Sequence, residues 1–194
     1  RIVHYEGAIF SIGYATKPMR NLFISDIVSP MYPPVEKLYE WSKTAIHDPR
    51  PYIMCEYSHA MGNSNGELCD YFEAFEKGEG LQGGFIWEWC DHAVAHKQAD
   101  GSVTYTYGGD HGEFPHDGNF CMDGLVTHNR EFTAGTLTTK YAYQNIRFEY
   151  SDGNLKVTNL FDFTNLTEYF VDVIINIDGV EKKKDRLVLD LEPK

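Results

Sequence analysis

The sequence predicts an α/β fold over residues 1–143, followed by an antiparallel β fold over residues 144–194. In the first region, short apolar runs alternate with amphipathic segments of helical length, which is typical of right-handed βαβ units and a parallel sheet. In the second region, short alternating runs are separated by the turn dipeptides Asp152-Gly153 and Asp178-Gly179. This change of pattern near residue 144 predicts two domains.

The first region contains four predicted strands and two predicted helices. The strands span residues 2–5, 25–29, 52–56 and 83–89, and the helices span residues 34–44 and 65–77. Pro34 suits the start of a helix, because its missing N–H would have no partner there. The second helix has an apolar stripe at helical spacing, made by Leu68, Tyr71, Phe72 and Phe75. Four such strands amount to half of an eight-stranded α/β barrel.

The second region contains four strand candidates, at residues 147–150, 155–160, 169–177 and 186–191. Valine or isoleucine occupies every second position from 171 to 177, which predicts a strand with one buried face. We expect the opening strands of an antiparallel sandwich, because an immunoglobulin-like domain needs about 100 residues. A half barrel and a half sandwich both leave edges or apolar faces uncovered, so we expect the chain to be part of a larger enzyme.

The composition excludes several classes of function. The formal net charge is −12, which argues against nucleic acid and anionic membranes and suits a neutral substrate handled by carboxylates. No apolar run approaches the roughly 18 residues that a membrane span needs. The four cysteines include no Cys-x-x-Cys pair, so we expect free thiols in a cytoplasmic protein and not a zinc knuckle or a redox motif.

One predicted strand ends in the most informative motif of the chain. Glu56 is followed at once by a tyrosine, a histidine and a Gly-Asn-Ser turn. Barrel enzymes carry their catalytic groups at the carboxyl ends of strands, which is where this carboxylate stands. Strand alternation predicts that Tyr52, Met54 and Glu56 share one face, as a barrel-interior row that ends in the carboxylate. An ordinary surface carboxylate is the alternative interpretation.

The strand predicted at residues 83–89 ends in two tryptophans. Alternation predicts that Trp87 and Trp89 share the face of Phe85 and that Glu88 lies on the opposite face. A tryptophan at a barrel mouth offers its ring to the C–H groups of a sugar. Trp87 is therefore a candidate for sugar stacking, with core packing as the alternative. We expect Trp89 to pack, and we assign no role to Glu88.

The segments Cys55-Glu-Tyr-Ser-His-Ala-Met-Gly-Asn-Ser64 and Gly83-Gly-Phe-Ile-Trp-Glu-Trp89 together resemble the last two barrel strands of glycoside hydrolase family 2, in particular the large bacterial β-galactosidases. The resemblance implies the C-terminal half of a TIM (β/α)8 barrel over residues 1–143. It implies the truncated start of an immunoglobulin-like β-sandwich over residues 144–194. The implied activity is that of a retaining glycosidase, which forms a covalent glycosyl-enzyme.

The resemblance also implies roles for single residues. Glu56 matches the nucleophile, and Tyr32 matches a tyrosine that contacts the nucleophile and assists breakdown of the covalent intermediate. A phenol that donates to a carboxylate keeps it ionised, as an attacking group requires. Met31, His59 and Trp87 fall at substrate-binding positions, with His59 expected to hydrogen-bond a sugar hydroxyl.

A third segment, Phe120-Cys-Met-Asp123, resembles one that binds a sodium ion beside the primary hydroxyl of the sugar. Phe120 would supply a backbone carbonyl and Asp123 a side-chain oxygen, which makes both residues candidates for substrate binding. The family has Asn where this chain has Asp123, and a carboxylate would bind a cation more strongly, so the identity of the ion is open. The Mg²⁺ ligands of the family fall outside this chain.

The general acid/base of the family stands in an Asn-Glu motif, and no Asn-Glu dipeptide occurs here. We expect the full-length protein to cleave terminal β-D-galactosides such as lactose, and the isolated chain to be inactive. The alternatives are a β-glucuronidase or β-mannosidase of the same family, or a non-catalytic carbohydrate-binding fragment. The implied partners are the β-galactoside, the remainder of the same polypeptide and further copies in a homo-oligomer, with no nucleic acid and no membrane.

Overall fold

The computed structural model describes residues 1–6, 25–43 and 48–194. The chain forms two compact units, Arg1–Ala142 and Tyr143–Lys194. In its described part the first unit is mixed α/β, and the second unit consists largely of β-hairpins. No helix in the described ranges is long and apolar enough to cross a lipid bilayer. All four cysteines lie in these ranges and are free thiols.

The first unit is organised around two parallel strands with a helix between them. Its elements in the described residues are α1 (Val35–Ser42), β1 (Tyr52–Tyr57), α2 (Leu68–Lys77), β2 (Leu81–Ile86), β3 (Val94–Lys97), β4 (Val103–Thr106) and α3 (Ala134–Ala142). β1 pairs with β2 in parallel, as a βαβ unit requires, whereas β3 and β4 form an antiparallel hairpin. No closed barrel forms among the described residues.

The core of this unit lies between β1 and the helices. Tyr52, Met54 and Tyr57 of β1 pack against Leu38 of α1 and against a buried stripe of α2. That stripe consists of Leu68, Tyr71 and Ala74, with Phe72 and Phe75 partly buried beside it, so the predicted apolar face of α2 is confirmed. Each large side chain buried here contributes about 1.5–3 kcal/mol relative to an exposed position.

The segment that precedes α1 runs along β1 without becoming a regular strand. Val28 donates its N–H to Pro51 and accepts a bond from Ile53, at 3.0 and 2.9 Å. The next ladder position is Pro30, which has no N–H to donate, so the pairing is interrupted. The predicted regular strand at residues 25–29 is therefore wrong, although the segment keeps the parallel direction.

The other boundaries differ from the predictions in specific ways. Residues 2–5 form no ladder, because Val3 bonds to the backbone and carboxylate of Asp26 instead. α1 begins at Val35, one residue after the predicted start at Pro34, and Thr44 lies outside the described residues. β2 ends at Ile86, three residues before the predicted end. The hairpin β3–β4 and helix α3 were missed, because most of their side chains are exposed and leave little apolar periodicity.

The second unit contains two hairpins in separate two-stranded sheets: β5 (Ile146–Ser151) with β6 (Asn154–Asn159), and β7 (Val171–Ile177) with β8 (Val180–Leu187). Both predicted turns are confirmed, since Asp152-Gly153 and Asp178-Gly179 all have positive φ, as a two-residue hairpin turn of type I′ requires. The predicted strand at residues 186–191 is wrong. β8 begins directly after the turn, in a charged run that shows no apolar alternation.

Candidate active site

Glu56 stands at the end of β1 on the face opposite to the core. Met54 pairs with Gly84, and Tyr57 pairs with Ile86. The interval between these two pairs is therefore three residues in β1 and two residues in β2. This is a β-bulge, and the extra residue turns the strand by one side-chain position. Met54 and Tyr57 both face the helices, and Glu56 faces away from them. The predicted row of Tyr52, Met54 and Glu56 on one face is therefore wrong.

Gly84 allows the two strands to approach at the bulge. A Cβ at this position would lie 2.9 Å from Cβ of Met54 and 3.0 Å from Cδ1 of Tyr57, closer than ordinary packing permits. Gly84 therefore belongs to the strand architecture that presents Glu56.

Tyr32 lies beside Glu56 because the segment before α1 follows the bulge. The Tyr32 N–H donates to the Glu56 carbonyl at 2.9 Å, and Met31 forms a parallel bridge with Glu56. The Tyr32 hydroxyl oxygen is buried and has no hydrogen-bond partner of normal geometry among the described residues. Burial, and then the neighbouring Glu56 carboxylate, raises the pKa of Tyr32 well above its ordinary value. The phenol is thus a protonated donor next to the carboxylate.

His59 is held by the turn that follows β1. Ser64 donates its hydroxyl to the His59 carbonyl at 2.6 Å, and the Met61 N–H donates to Nδ1 of His59 at 3.4 Å. Because Nδ1 accepts a hydrogen bond, the proton of a neutral imidazole ring lies on Nε2. The Nε2 atom is 3.6 Å from Oδ2 of Asp123. The ring also lies near Tyr32, with a centroid distance of 5.9 Å. His59 therefore joins the Glu56 side of the site to Asp123.

Trp87 and Asp123 form the second side of the site. The indole Nε1–H of Trp87 donates to Oδ2 of Asp123 at 3.1 Å. Asp123 is 2% exposed, and its other oxygen, Oδ1, has no hydrogen-bond partner among the described residues. Trp87 is 42% exposed, so one part of the indole is anchored while another part is open to solvent. The neighbouring Trp89, which was expected to pack, is 62% exposed.

The segment that carries Asp123 is fastened to the residues after β2. The Glu88 N–H donates to the Asp123 carbonyl at 2.9 Å, and the Leu125 N–H donates to the Glu88 carbonyl at 2.9 Å. Gly124 permits this close approach, since a Cβ there would lie 2.0 Å from the backbone nitrogen of Asp91. Phe120 is exposed, and its ring centroid lies 6.2 Å from that of His59.

Glu88 is a site residue that sequence reasoning missed. Its backbone N–H donates to the Asp123 carbonyl at 2.9 Å, and its Oε1 lies 3.3 Å from Nε2 of His92. Burial, and then the contact with Asp123, raises the pKa of Glu88. Alternation placed this side chain opposite Trp87, but β2 ends at Ile86, so alternation does not apply to Glu88. The acidic Glu88 between two tryptophans was the signal that could have found it.

The structure brings the sequence-predicted residues together in one place. Tyr32 and Met31 border Glu56, and His59 joins this group to Asp123, which holds Trp87. No group of three or more His, Cys, Asp or Glu side chains in the described ranges is arranged to hold a metal ion. The arrangement combines a carboxylate at a strand end, a protonated phenol, an imidazole and an open indole edge. Groups of this kind are used by enzymes that act on carbohydrates.

Comparison with known proteins specifies this class. The family described as glycosyl hydrolases family 2, TIM barrel domain, matches residues 1–148, and the chain belongs to this family. The resemblance stated from the motifs is thereby confirmed. The chain is 41% identical to a beta-galactosidase of Actinobacillus pleuropneumoniae over 194 residues, and 38% identical to a beta-galactosidase of Staphylococcus xylosus over 185 residues.

These alignments cover 100% and 92% of this chain but only 18% of each relative, so the chain spans about a fifth of their length. A solved structure of a family 2 beta-galacturonidase from Eisenbergiella tayi is a more distant match. It is 19% identical with a TM-score of 0.39, and the match covers 62% of this chain and 24% of that chain.

Proposed function

We propose that the protein containing this chain is a retaining glycoside hydrolase that cleaves terminal β-D-galactosides such as lactose through a covalent glycosyl-enzyme on Glu56. The observation that carries the proposal is the position of Glu56, which the bulge turns away from the core and toward Tyr32. Family membership and the beta-galactosidase relatives support the same assignment.

In this mechanism the Glu56 carboxylate forms a bond to the anomeric carbon while the bond to the leaving oxygen breaks. The leaving oxygen takes a proton from a general acid outside these residues, since the Asn-Glu motif that carries it in the family does not occur here. Water, activated by the same group, then attacks the anomeric carbon and releases Glu56. The protonated Tyr32 phenol is placed to donate to the departing carboxylate, which favours breakdown of the intermediate.

His59 and Trp87 are proposed to hold the sugar. Nε2–H of His59 is a donor within reach of polar groups at the Asp123 side of the site, and the open part of Trp87 offers a stacking surface. Met31 borders the same space through its bridge to Glu56.

The charges around the site favour a neutral sugar over a uronic acid. Recognition of a carboxylate commonly uses arginine or lysine. Among the described residues, the contacts of Glu88 and Asp123 involve histidine and tryptophan, and neither lysine nor arginine. A glucuronide would bring a further negative charge to this acidic surface, so we rank β-glucuronidase below β-galactosidase. β-Mannosidase remains the alternative with a neutral substrate.

A sodium ion is compatible with the residues present. The buried Oδ1 of Asp123 has no protein partner among the described residues, and it is a hard oxygen of the kind that such cations prefer. The carbonyl of Phe120 is the second proposed ligand. When bound, the ion would orient the primary hydroxyl of the sugar. The Mg²⁺ ions of the family would be held outside this chain.

The remaining assignments extend to the whole protein. We propose that the first unit is the C-terminal half of a TIM barrel and that the second unit begins an immunoglobulin-like sandwich. The remainder of the same polypeptide would complete both folds, in a cytoplasmic homo-oligomer. The aligned share of only 18% of each relative supports a longer polypeptide.

Covalent labelling of the full-length protein tests the proposed activity. A 2-deoxy-2-fluoro-β-galactoside with an activated leaving group slows breakdown of the intermediate, and peptide mapping should find the label on Glu56. A label on another residue would contradict the assignment of the nucleophile. Binding of galactose without labelling or turnover would favour the carbohydrate-binding fragment. The matched mannoside and glucuronide, used under the same conditions, test the identity of the sugar.

A further inference from the structure

The side chain of Asn65 closes the turn of residues 58–66 that follows β1. Its amide nitrogen Nδ2 donates to the carbonyl of Ser58 and to the hydroxyl of Ser58, each at 2.9 Å. The Ser58 hydroxyl in turn donates to the Gly66 carbonyl at 3.1 Å. An amide nitrogen carries two N–H groups, so Asn65 can satisfy both acceptors at once. These bonds join the two ends of the turn.

Ser58 has a backbone conformation that needs such support. Its φ is 49°, in the left-handed region, which is unfavourable for a residue with a Cβ atom. A conformation of this kind persists where the surrounding contacts fix it. Because Ser58 directly precedes His59, its backbone angles set the direction in which the imidazole leaves the turn.

The same turn is bonded to both residues that are proposed to hold the sugar. The Ser64 hydroxyl donates to the His59 carbonyl at 2.6 Å, and the Ala60 N–H donates to the Trp87 carbonyl at 2.8 Å. Ala60 is buried, so this second bond lies away from solvent. A change in the shape of the turn would therefore move His59 relative to Trp87.

Helix α3 leaves room for the amide of Asn65. A Cβ at Gly135 of α3 would lie 3.1 Å from Oδ1 of Asn65, which is tighter than ordinary contact. The Oδ1 atom is buried and has no hydrogen-bond partner among the described residues. The amide is thus confined between the turn and α3, with its donor end directed at Ser58.

We propose that Asn65 is a positioning residue, which holds Ser58 in the left-handed conformation and thereby aims the imidazole of His59 at the sugar. The inference rests on the proposed function and adds to it a residue to which the family resemblance gave no role. Asn65 directly follows the segment that ends at Ser64, on which that resemblance was stated. It acts through Ser58 and need not touch the substrate.

Asn65→Leu in the full-length protein tests the proposal, because leucine has a similar size and no donor. We expect kcat/KM for an aryl galactoside to fall by roughly 5- to 100-fold, the range for polar groups left without their hydrogen-bond partner. If Asn65→Leu does not fold, Asn65→Ser, which is too short to reach both acceptors, takes its place. An unchanged kcat/KM would overturn the proposal.

Asn159→Leu is the matched control for a purely structural role. The Nδ2 atom of Asn159 also donates to backbone carbonyls, those of Thr164, Leu191 and Glu192, but in the second unit. This variant should lower the Tm and leave kcat/KM per folded molecule within about twofold of the wild type, as for independent sites. Equal losses of kcat/KM in Asn65→Leu and Asn159→Leu would overturn the proposal.

A Ser58→Gly background tests whether Asn65 acts through the conformation of Ser58. Glycine adopts positive φ without a steric penalty, so the turn would depend less on the amide. Asn65→Leu should therefore cost at most about threefold in kcat/KM in this background, because the two positions are coupled. The same loss in both backgrounds would overturn the proposal.

Crystal structures of the full-length variants give a readout that does not depend on activity. In Asn65→Leu, φ of Ser58 should become negative, and the centroid distance from His59 to Tyr32 should depart from 5.9 Å. In the double variant with Ser58→Gly, φ at position 58 should stay positive. Unchanged Ser58 and His59 in Asn65→Leu would overturn the inference even if the protein is an active galactosidase. A displaced His59 in a protein without glycosidase activity would contradict only the proposed function.

Discussion

The ends of β1 and β2 lie side by side but present their carboxyl groups in opposite ways. At the end of β1, Glu56 meets the phenol of Tyr32, and it stands on the face away from the core. After β2, the Glu88 N–H donates to the carbonyl of the buried Asp123, whose carboxylate accepts from the indole of Trp87. In the proposed mechanism, the Glu56 carboxylate forms the covalent bond. The carboxyl group of Glu88 lies beside the imidazole of His92.

This difference shows that the position of an acidic residue in the sequence does not by itself indicate whether it is the nucleophile. Glu56 stands near the end of β1 and Glu88 two residues after the end of β2, and both precede an aromatic residue. A nucleophile must be ionised and accessible, whereas burial, and then the neighbouring Asp123, raises the pKa of Glu88. The four predictions below test this division of roles, and all concern the full-length protein.

The largest effect is expected for Glu56→Gln. The substitution keeps the shape of the side chain but removes the attacking charge, so kcat should fall by roughly 10⁴- to 10⁶-fold, as for other nucleophile substitutions. Steady-state kinetics and a thermal melt should show lost turnover with an unchanged Tm. Glu79→Gln, an exposed acid in the loop before β2, is the control and should keep full activity. Substantial turnover in Glu56→Gln would remove the contrast between the two glutamates.

Tyr32→Phe should have the next largest effect. It removes a donor beside a charged group, which is worth a loss in kcat of about 10- to 100-fold. Because the hydroxyl acts on the departing carboxylate, the variant should show a burst of aryl leaving group followed by a slow steady state. A change confined to KM would contradict this role. Tyr141→Phe, at an exposed position of α3, should show neither effect.

Trp87→Phe should have a smaller effect, of about 3- to 10-fold on kcat/KM. Phenylalanine keeps an aromatic face but has no N–H for Asp123, so the loss measures the hydrogen bond and not the stacking surface. Trp89→Phe is the control, because Trp89 is 62% exposed. Equal losses in the two variants would show that the bond to Asp123 is unimportant.

Met54→Ala should have the smallest effect on turnover and a large one on stability. Met54 is fully buried and lies two residues before Glu56, but the bulge places the two on opposite faces. Cavity formation should destabilise the fold by about 2–5 kcal/mol, with kcat per folded molecule within about twofold of the wild type. A thermal melt and an active-site titration check this. A loss of kcat without a loss of Tm would contradict the assignment of Met54 to the core face.

Local patterns in the sequence were sufficient for several features of this protein. The apolar stripe of α2 and the two Asp-Gly turns were predicted correctly, and the start of α1 was predicted to within one residue, because each depends on residues a few positions apart. The motif around Glu56 was also sufficient to identify the family. Residue types at close spacing carry both kinds of information, since helical periodicity, turn geometry and catalytic motifs are all local.

The tertiary structure decided which side chains meet. The bulge that turns Glu56 from the core face depends on the pairing of β1 with β2, and the interruption at Pro30 depends on the neighbouring segment. The hydrogen bond from the Glu88 N–H to the Asp123 carbonyl joins positions 35 residues apart, after a strand that ends earlier than its apolar pattern suggests. Strand register and the ends of strands are set by hydrogen bonds to distant partners. A period of two along one strand therefore cannot predict them.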